Sequence, residues 1–256
     1  MSIFFNIILI LFLFLNLSVS ARDLGETEIT TDDGIEVYQN EKYYLLKKNV
    51  KIDSDNFILN ADNVRINFKD NLNDITELDA KGKVQFNSPE FKMKGRGENL
   101  KFVVKSEKLE IEGIESELIT EDIKMYSNGL IKVNNLSGEF FLFGENSKLI
   151  NESVVIIANS IDGVFTDNND KKEISLLNVV DEKISYIKNN DTEMYAKKIN
   201  FNNKTSLIEL MDNVVIIRNG EKVTGDYGTL DTKNNSYKIK SNNQTKVKAI
   251  IKNNEQ

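Results

Sequence analysis

Several carboxylates in this sequence occur in close pairs that could bind a metal ion or catalyse a reaction. Paired carboxylates can bind calcium through their oxygens, or can act as the acid and base of a glycosidase. The pairs are Asp32/Asp33, Asp53/Asp55, Glu107/Glu110, Glu115/Glu117 and Asp167/Asp170. None has the spacing of an EF-hand loop, and nothing in the sequence places two of them across a cleft. We therefore interpret them as hydrophilic turns.

Composition excludes most other catalytic groups. The chain of 256 residues contains no Cys and no His. A thiolate nucleophile, a Ser–His or Cys–His pair and an ordinary zinc site are thus excluded. The turn Gly95-Arg96-Gly97 is similar to a phosphate-binding loop, but no helix is predicted after it. The sequence predicts a protein that is not an enzyme and has no cofactor and no metal site.

The charged residues are numerous and evenly scattered. Lys and Arg number 33 against 40 Asp and Glu, a formal net charge of −7. A nucleic-acid-binding protein would favour a clustered basic face. The charges therefore predict a solvated outer surface and no nucleic-acid partner.

The N-terminus has the features of an export signal. An apolar run from Ile3 to Leu17 is followed by the small residues Ser18-Val19-Ser20-Ala21. This pattern predicts a signal peptide over residues 1–21, cleaved after Ser20 or Ala21. A retained membrane anchor is the alternative, although the run is shorter than the about 20 apolar residues that usually span a bilayer. Export without cysteine favours the bacterial periplasm.

Residues 22–240 alternate apolar and polar side chains in short runs, which is typical of half-buried β-strands. Clear examples are FILNADNVRINF at 57–68 and KVQFNSPEFKMKGRGENLKFVV at 83–104. The connecting stretches, such as SPE, SNG and RNGEK, are rich in turn-forming residues. The predicted fold class is all-β.

Similar strand openings recur along the chain, at a spacing of about 30 to 40 residues that is typical of repeat proteins. They lie near Val50, Val84, Ile123, Ile184 and Val214. One such unit buries its apolar face only against a neighbour, which favours one continuous stack. Residues 151–182 are the least regular and could be where two halves meet. The Lys- and Asn-rich residues 241–256 predict a disordered tail.

The repeats have a recognisable form. Lys48-Asn49-Val50-Lys51-Ile52 leads to Leu59-Asn60-Ala61-Asp62-Asn63-Val64, and Asp212-Asn213-Val214-Val215-Ile216 leads to Val223-Thr224-Gly225-Asp226-Tyr227. Ala80-Lys81-Gly82-Lys83-Val84 is a further version of the same strand. This chain resembles the LptA/OstA family of lipopolysaccharide-transport proteins over roughly residues 29–239. It carries Lys48 and Asp212 where the family prefers Gly before Asn-Val.

The resemblance implies a twisted β-jellyroll that is open along one side and shelters the acyl chains of lipopolysaccharide in its apolar interior. It also implies head-to-tail stacking through exposed edge strands, bridging the inner and outer membranes together with other transport proteins. The predicted edges are Tyr43, Tyr44, Leu45 and Leu46 at one end and Tyr237, Lys238 and Ile239 at the other. The predicted lipid-lining residues are Phe57, Leu59, Val64, Ile66, Phe68, Phe86, Phe91, Met93, Leu100, Phe102, Val104, Ile199 and Phe201.

Two groups of alternatives stay open on the sequence. One is a membrane-anchored, LptC-like protein that passes lipid on from the inner-membrane transporter. The other is an exported protein of a different class, either a β-helix that binds polysaccharide or an adhesin with a closed core. The adhesin hypothesis predicts no lipid binding.

Overall fold

The computed structural model describes residues 23–70, 74–168, 171–242 and 246–251. The predicted signal peptide, residues 1–21, lies outside this range. The described residues contain no α-helix, only β-strands and one 3-10 turn at Val104–Ser106. The prediction of an all-β fold is confirmed.

Within the described ranges, eighteen strands follow one another, and ten of them are long, with 11 to 19 residues. The long strands are β3 (Tyr43–Asp53), β4 (Ile58–Phe68), β5 (Ile75–Ser88), β6 (Met93–Val103), β11 (Glu139–Asn151), β12 (Val154–Asn168), β13 (Lys171–Asn189), β14 (Thr192–Asn202), β15 (Leu207–Arg218) and β16 (Glu221–Asp231). The short strands are β1 (Glu28–Thr30), β2 (Gly34–Tyr38), β7 (Lys108–Glu112), β8 (Ser116–Ile119), β9 (Ile123–Ser127), β10 (Leu130–Asn134), β17 (Ser236–Lys240) and β18 (Lys248–Ile250).

Every strand pair in the described residues is antiparallel, and each of the long strands pairs with both of its neighbours in the chain. This pairing excludes the β-helix alternative, because a β-helix is built from parallel strands. Residues 151–182 form most of β12 and β13, which pair with β11 on one side and β14 on the other. Backbone hydrogen bonding is therefore continuous across this segment.

Each long strand contributes to two sheets, because its pairing register shifts near the middle. In β3 the shift falls between Lys47 and Val50, and in β15 it falls between Met211 and Val214. Such bulges bend a strand and increase its twist. We call the sheet that contains β2, β7, β10 and β17 sheet A, and the sheet that contains β1, β8, β9 and β18 sheet B.

The family-like motifs are the bends themselves. In the first copy, Lys48 and Asn49 have φ angles of 66° and 48°, and in the last copy Asp212 and Asn213 have φ angles of 64° and 59°. Left-handed backbone is rare in a strand, and Asn and Asp tolerate it better than most residues. The polar-Asn-Val sequence therefore marks the middle of a long strand, whereas the sequence analysis interpreted it as the beginning of one.

The two sheets face each other across one apolar core and are joined along the line of bends, which we call the spine. The hairpin turns lie at the opposite side, alternately at the free margin of sheet A and of sheet B. We call these margins lip A and lip B, and the gap between them the mouth. The outline is that of an open jellyroll.

The predicted edge at Tyr43–Leu46 is wrong. Residues 43–47 of β3 pair with β2 on one side and with β4 on the other, so they lie inside sheet A. The chain turns back after Tyr38, whose ring stacks on that of Tyr43 at 4.5 Å between centroids. The first strands of the two sheets are instead β2 in sheet A and β1 in sheet B.

At the other end, the strand that holds Tyr237, Lys238 and Ile239 is β17, which pairs with β16 alone in the described part of the chain. This segment thus has the edge position that the sequence predicted. The tail differs from the expectation of disorder, because Lys248–Ile250 forms β18 against Lys222–Thr224 of β16. The alternating apolar residues Val247, Ala249 and Ile251 suit such a pairing.

Candidate functional site

The inner face of sheet A carries one apolar row that crosses the whole molecule from β3 to β17. The residues of this row lie directly opposite one another on successive strands, close to lip A. We call the row the mouth row. It consists of Tyr44, Ile66, Leu78, Phe102, Leu109, Val133, Phe140, Gly163, Leu177, Phe201, Ile208, Leu230 and Tyr237. Adjacent strands lie about 4.8 Å apart, so the row is a nearly continuous apolar track.

A second row lies two residues closer to the spine, and we call it the deep row. It contains Leu46, Val64, Ala80, Leu100, Ile111, Ile131, Leu142, Ile161, Val179, Ile199, Leu210, Gly228 and Ile239. Its side chains are buried, except that Ile239 at the edge is partly buried. Sheet B presents a matching apolar row, which includes Leu59, Phe86, Leu118, Met125 and Ile156.

The predicted lipid-lining residues fall into three groups by burial. Seven lie inside the closed core, namely Leu59, Val64, Ile66, Phe68, Phe86, Leu100 and Ile199. Four are partly buried against the core near the lips, namely Phe57, Met93, Phe102 and Phe201. Only this second group, together with mouth-row residues such as Tyr44 and Val133, has surface available at the mouth.

Phe91 and Val104 do not lie on the inner face of a strand. Phe91 is in the turn between β5 and β6 and is 49% exposed, and Val104 begins the 3-10 turn after β6 and is 40% exposed. The alternation counted from Met93 and Phe102 fails at these positions because the turns have already begun. Pro89 starts the first of these turns, and its carbonyl accepts a hydrogen bond from the Lys92 N–H.

The interior is packed in this structure. The cavity between the sheets has a volume of about 30 Å³ and is lined by Met93, Leu118 and Met125 on the sheet B side and by Val133 and Phe165 on the sheet A side. This is the space of about one water molecule. A bound acyl chain would therefore require the two sheets to move apart at the mouth.

The mouth is bridged by polar contacts at two places. Near the middle of the stack, the Asn151 side-chain amide on lip B donates a hydrogen bond of 3.0 Å to the Lys172 carbonyl on the β12–β13 hairpin. Towards the C-terminus, the guanidinium of Arg218 on lip B donates to the carbonyl and side-chain oxygens of Asn235 on lip A. A polar pocket of about 310 Å³ lies beside this second bridge, lined by residues that include Thr192, Thr232 and Asn235.

The outer face of sheet A is polar and carries opposite charges on neighbouring strands. Five charged residues on this face lie side by side in register, namely Arg65, Asp79, Lys101, Glu110 and Lys132. The Lys132 Nζ lies 3.1 Å from Glu110 Oε1. Cross-strand pairs of opposite charge stabilise a sheet and keep this face in water.

These neighbours set the protonation of two carboxyls on the outer face. Partial burial raises the pKa of Glu110, but the hydrogen bonds from Lys132 and Lys108 outweigh burial and hold that pKa below its ordinary value. Burial, and then the negative charge of Glu77, raise the pKa of Asp79 despite the nearby Lys101. Both groups are structural, since neither faces the interior or a cleft.

A large concavity lies further along the same outer face, across β11 to β15, with a volume of about 790 Å³. Its floor combines the polar side chains of Asp162, Asn178 and Asn200 with the exposed apolar side chains of Leu176 and Leu207. Asn178 donates a hydrogen bond of 2.9 Å to Asp162. The sequence analysis missed this surface, because it depends on the curvature of five strands.

Metal-binding clusters and membrane-spanning helices were sought in the described residues. No group of three or more acidic residues there could hold a metal ion. No helix in the described ranges is long and apolar enough to cross a membrane. The apolar segment Ile3–Leu17 lies outside those ranges.

Comparison with known proteins finds one family model that matches part of this chain. Residues 28–139 match the family model described as LptA/(LptD N-terminal domain) LPS transport protein. No curated protein matches the chain. Among solved structures it is similar to LptH, the LptA homologous periplasmic component of the lipopolysaccharide-transport device of Pseudomonas aeruginosa. The identity is 14%, the match covers 51% of this chain and 95% of that chain, and the TM-score is 0.42.

The matched region runs from β1 to the first residue of β11, and it includes the bends at Lys48-Asn49 and Gly82-Lys83 on which the resemblance was based. The same alternation of bends and lips continues through β16. Residues 28–139 of this chain thus match the model of the LptA/LptD N-terminal family of lipopolysaccharide-transport proteins.

Proposed function

We propose that this protein is a non-catalytic, periplasmic carrier that shelters the acyl chains of lipopolysaccharide between its two sheets. The observation that carries the proposal is the mouth row, an apolar track that runs without a charged residue from Tyr44 to Tyr237. Five of its side chains are only partly buried and so have surface at the mouth, namely Tyr44, Phe102, Val133, Phe201 and Tyr237. The family match over residues 28–139 supports lipopolysaccharide as the cargo.

Cargo binding by this interior requires opening at the mouth. The backbone hydrogen bonds run between strands within each sheet, and the sheets are joined through the bends of the same strands. Parting the lips therefore breaks side-chain contacts and leaves the ladders intact. Each buried CH₂ group contributes about 0.8 kcal/mol, so several acyl chains offset the loss of contact between the two inner faces.

Movement of lipid along the track needs no deep binding site. The residues at successive positions of the mouth row are all apolar or Gly, so the interaction energy changes little from one strand to the next. We expect the driving force to come from a partner protein, because the sequence offers no phosphate-binding loop. In this proposal the protein is a passive conduit between membrane-bound partners.

Assembly into a bridge would use the terminal strands. An exposed edge strand presents unpaired N–H and C=O groups that recruit another strand. In the described part of the chain the last strands of the two sheets are β17 and β18, and the first are β2 and β1. Strand addition of one copy to the next would extend both sheets and join their mouth rows.

Photo-crosslinking to lipopolysaccharide tests the proposal. A photoreactive amino acid replaces Phe102 or Phe201, both partly buried members of the mouth row. The matched control replaces Lys101, the neighbour of Phe102 that points to the outer face and pairs with Glu77. Adducts at Phe102 and Phe201 with none at Lys101 support the carrier. If neither inner position gives an adduct, the closed-core adhesin becomes the better interpretation.

The membrane-anchored alternative is tested separately. The mass of the mature protein isolated from cells shows whether residues 1–21 are removed. We expect cleavage after Ser20 or Ala21, since small residues there suit a signal peptidase. A full-length mass together with membrane fractionation would instead favour an LptC-like anchored protein.

A further inference from the structure

The facing ends of β12 and β13, Phe165–Asn168 and Lys171–Ser175, extend beyond the margin of sheet A. Their ladder pairs are only with each other, because β11 pairs no further than Val164 and β14 no further than Leu176. At their base, the Phe165 N–H donates a hydrogen bond of 2.9 Å to the Gly138 carbonyl, and the Ser175 carbonyl accepts one of 2.9 Å from the Asn203 N–H. We call these two segments the strap. A two-stranded ribbon on its own is marginally stable in water. Its position therefore depends on contacts with the rest of the molecule.

A bulge directs the strap across the mouth. The register shifts between Val164 and Phe165, and the side chain of the unpaired Ser175 donates a hydrogen bond of 2.9 Å to the Val164 carbonyl. Gly138 allows the close approach, since a Cβ at that position would lie 2.2 Å from the Phe165 carbonyl oxygen. Bulges commonly re-aim a strand in this way.

The strap inserts an aromatic ring between the sheets. Phe165 is 5% exposed and stacks on Phe140 of the mouth row with 4.3 Å between ring centroids. It lines the small interior cavity opposite Leu118 and Met125 of sheet B. Phe165 therefore occupies the track at the middle of the stack, where a sliding acyl chain would pass.

Lip B holds the strap through a small polar cluster. The buried Asn151 amide donates to the carbonyls of Asp122 and Lys172 at 3.1 and 3.0 Å. The Lys172 N–H donates to the Asp122 carboxylate at 3.2 Å. An exposed ion pair of 2.8 Å joins Lys171 to Glu152 at the rim. We call Asn151, Asp122 and the Lys172 backbone the clasp.

We propose that the strap is a gate, closed by the clasp, which blocks the lipid track at mid-stack and opens when cargo passes. This inference rests on the proposed carrier function and adds a control point to it. The gate lies outside the matched family region, which ends at residue 139. Opening needs the loss of the clasp, of the exposed Lys171–Glu152 ion pair, of the Phe165–Phe140 stack and of the hydrogen bond from the Phe165 N–H to the Gly138 carbonyl, but no sheet ladder crosses the mouth there.

A reversible lock tests the gate. Glu152→Cys and Lys171→Cys are joined by a short, reducible bismaleimide linker, which ties the strap to lip B. The chain has no other cysteine, so the link is unique. The matched control links Lys92→Cys to Glu121→Cys, a pair with a similar ion-pair distance of 2.9 Å in which both residues lie on lip B. Binding of fluorescent lipopolysaccharide is measured by anisotropy before and after reduction.

We expect the locked protein to bind about tenfold or more weakly than after reduction, because the open state that accepts cargo is no longer populated. The control should bind equally in both states. Equal binding by the locked and reduced protein would overturn the gate and leave the carrier function standing. Absence of binding in every form, wild type included, would overturn the carrier function, and the gate with it.

Hydrogen exchange tests the clasp without lipid. Asn151→Ala removes two hydrogen bonds of a buried group, and we expect amide exchange in Phe165–Asn168 to accelerate about tenfold. Glu152→Gln removes only the exposed ion pair and should leave exchange within about twofold of the wild type. Unchanged exchange in Asn151→Ala would show that the clasp does not hold the strap.

Discussion

Two neighbouring residues of β14 distinguish the packed part of the interior from its mouth. Ile199 belongs to the deep row and is fully buried, whereas Phe201 belongs to the mouth row and is partly buried. Both side chains point between the sheets. Substitution of each by Ala therefore separates the contribution of the core to stability from the contribution of the mouth to lipid binding.

Ile199→Ala removes three carbon atoms, which at about 0.8 kcal/mol each gives about 2.4 kcal/mol before any cavity term. Its neighbours Val179 and Leu210 are also fully buried, so little collapse into the space is possible. The expected loss is about 3 to 4 kcal/mol, or about 6 to 16 °C in Tm for a domain of this size. Lipopolysaccharide crosslinking at Phe102 should persist below the unfolding transition.

Phe201→Ala should show the reverse pattern. Part of its ring is already in contact with water, so we expect a loss of stability of about 1 to 2 kcal/mol, with a weaker lipid adduct at Phe102. Urea unfolding followed by circular dichroism gives the stabilities. If Ile199→Ala costs less than about 1 kcal/mol, the deep row is not packed and the division into core and mouth is wrong.

Three further predictions concern the outer face and one close contact. Lys132→Met should lower the free energy of unfolding by about 0.5 to 1 kcal/mol at pH 7. The lowered pKa of Glu110 stabilises the fold at pH values above the ordinary pKa of 4.5, and this stabilisation is lost as the pH falls through the folded-state pKa. The difference in stability from the wild type should therefore vanish at low pH. Asp79→Asn should stabilise the protein slightly at pH 7 but not near pH 3, because the raised pKa of Asp79 means that ionisation of its carboxyl opposes folding. A loss of stability at pH 7 would show that the Lys101 contact outweighs burial. Gly163→Ala should cost about 1 to 3 kcal/mol, since its Cβ would lie 2.2 Å from the Leu176 carbonyl oxygen; an unchanged urea midpoint would contradict this packing.

The strand content of the fold is readable from the sequence, because alternation of apolar and polar residues directly reports a half-buried strand. Phe57 to Phe68 shows this clearly, apart from its interruption at Asp62-Asn63. That interruption is not a hairpin turn, since β4 continues through it and shifts register against β5. A short polar pair can form either feature, and only the pairing partner decides between them.

For a related reason, the sequence does not show how deep each side chain lies in the interior. Leu100 and Phe102 share one face of β6, and no local pattern shows that one belongs to the deep row and the other to the mouth row. Depth depends on the distance from the bend, which is set by both partner strands. The prediction of an edge at Tyr43–Leu46 was wrong because β2 pairs with these residues, and its five residues give too short a pattern to predict a strand there.

The antiparallel meander has a consequence for how the chain acquires its structure. Nearly every strand pairs with the strand made just before it, so few contacts must wait for distant residues. Such topologies favour rapid folding, and repeat-like stacks can nucleate in one place and propagate. A chain that emerges from a membrane pore with its N-terminus first can therefore add one strand at a time to a growing stack. Its aggregation-prone edge is then limited to the one or two strands formed last, which the residues that emerge later will cover.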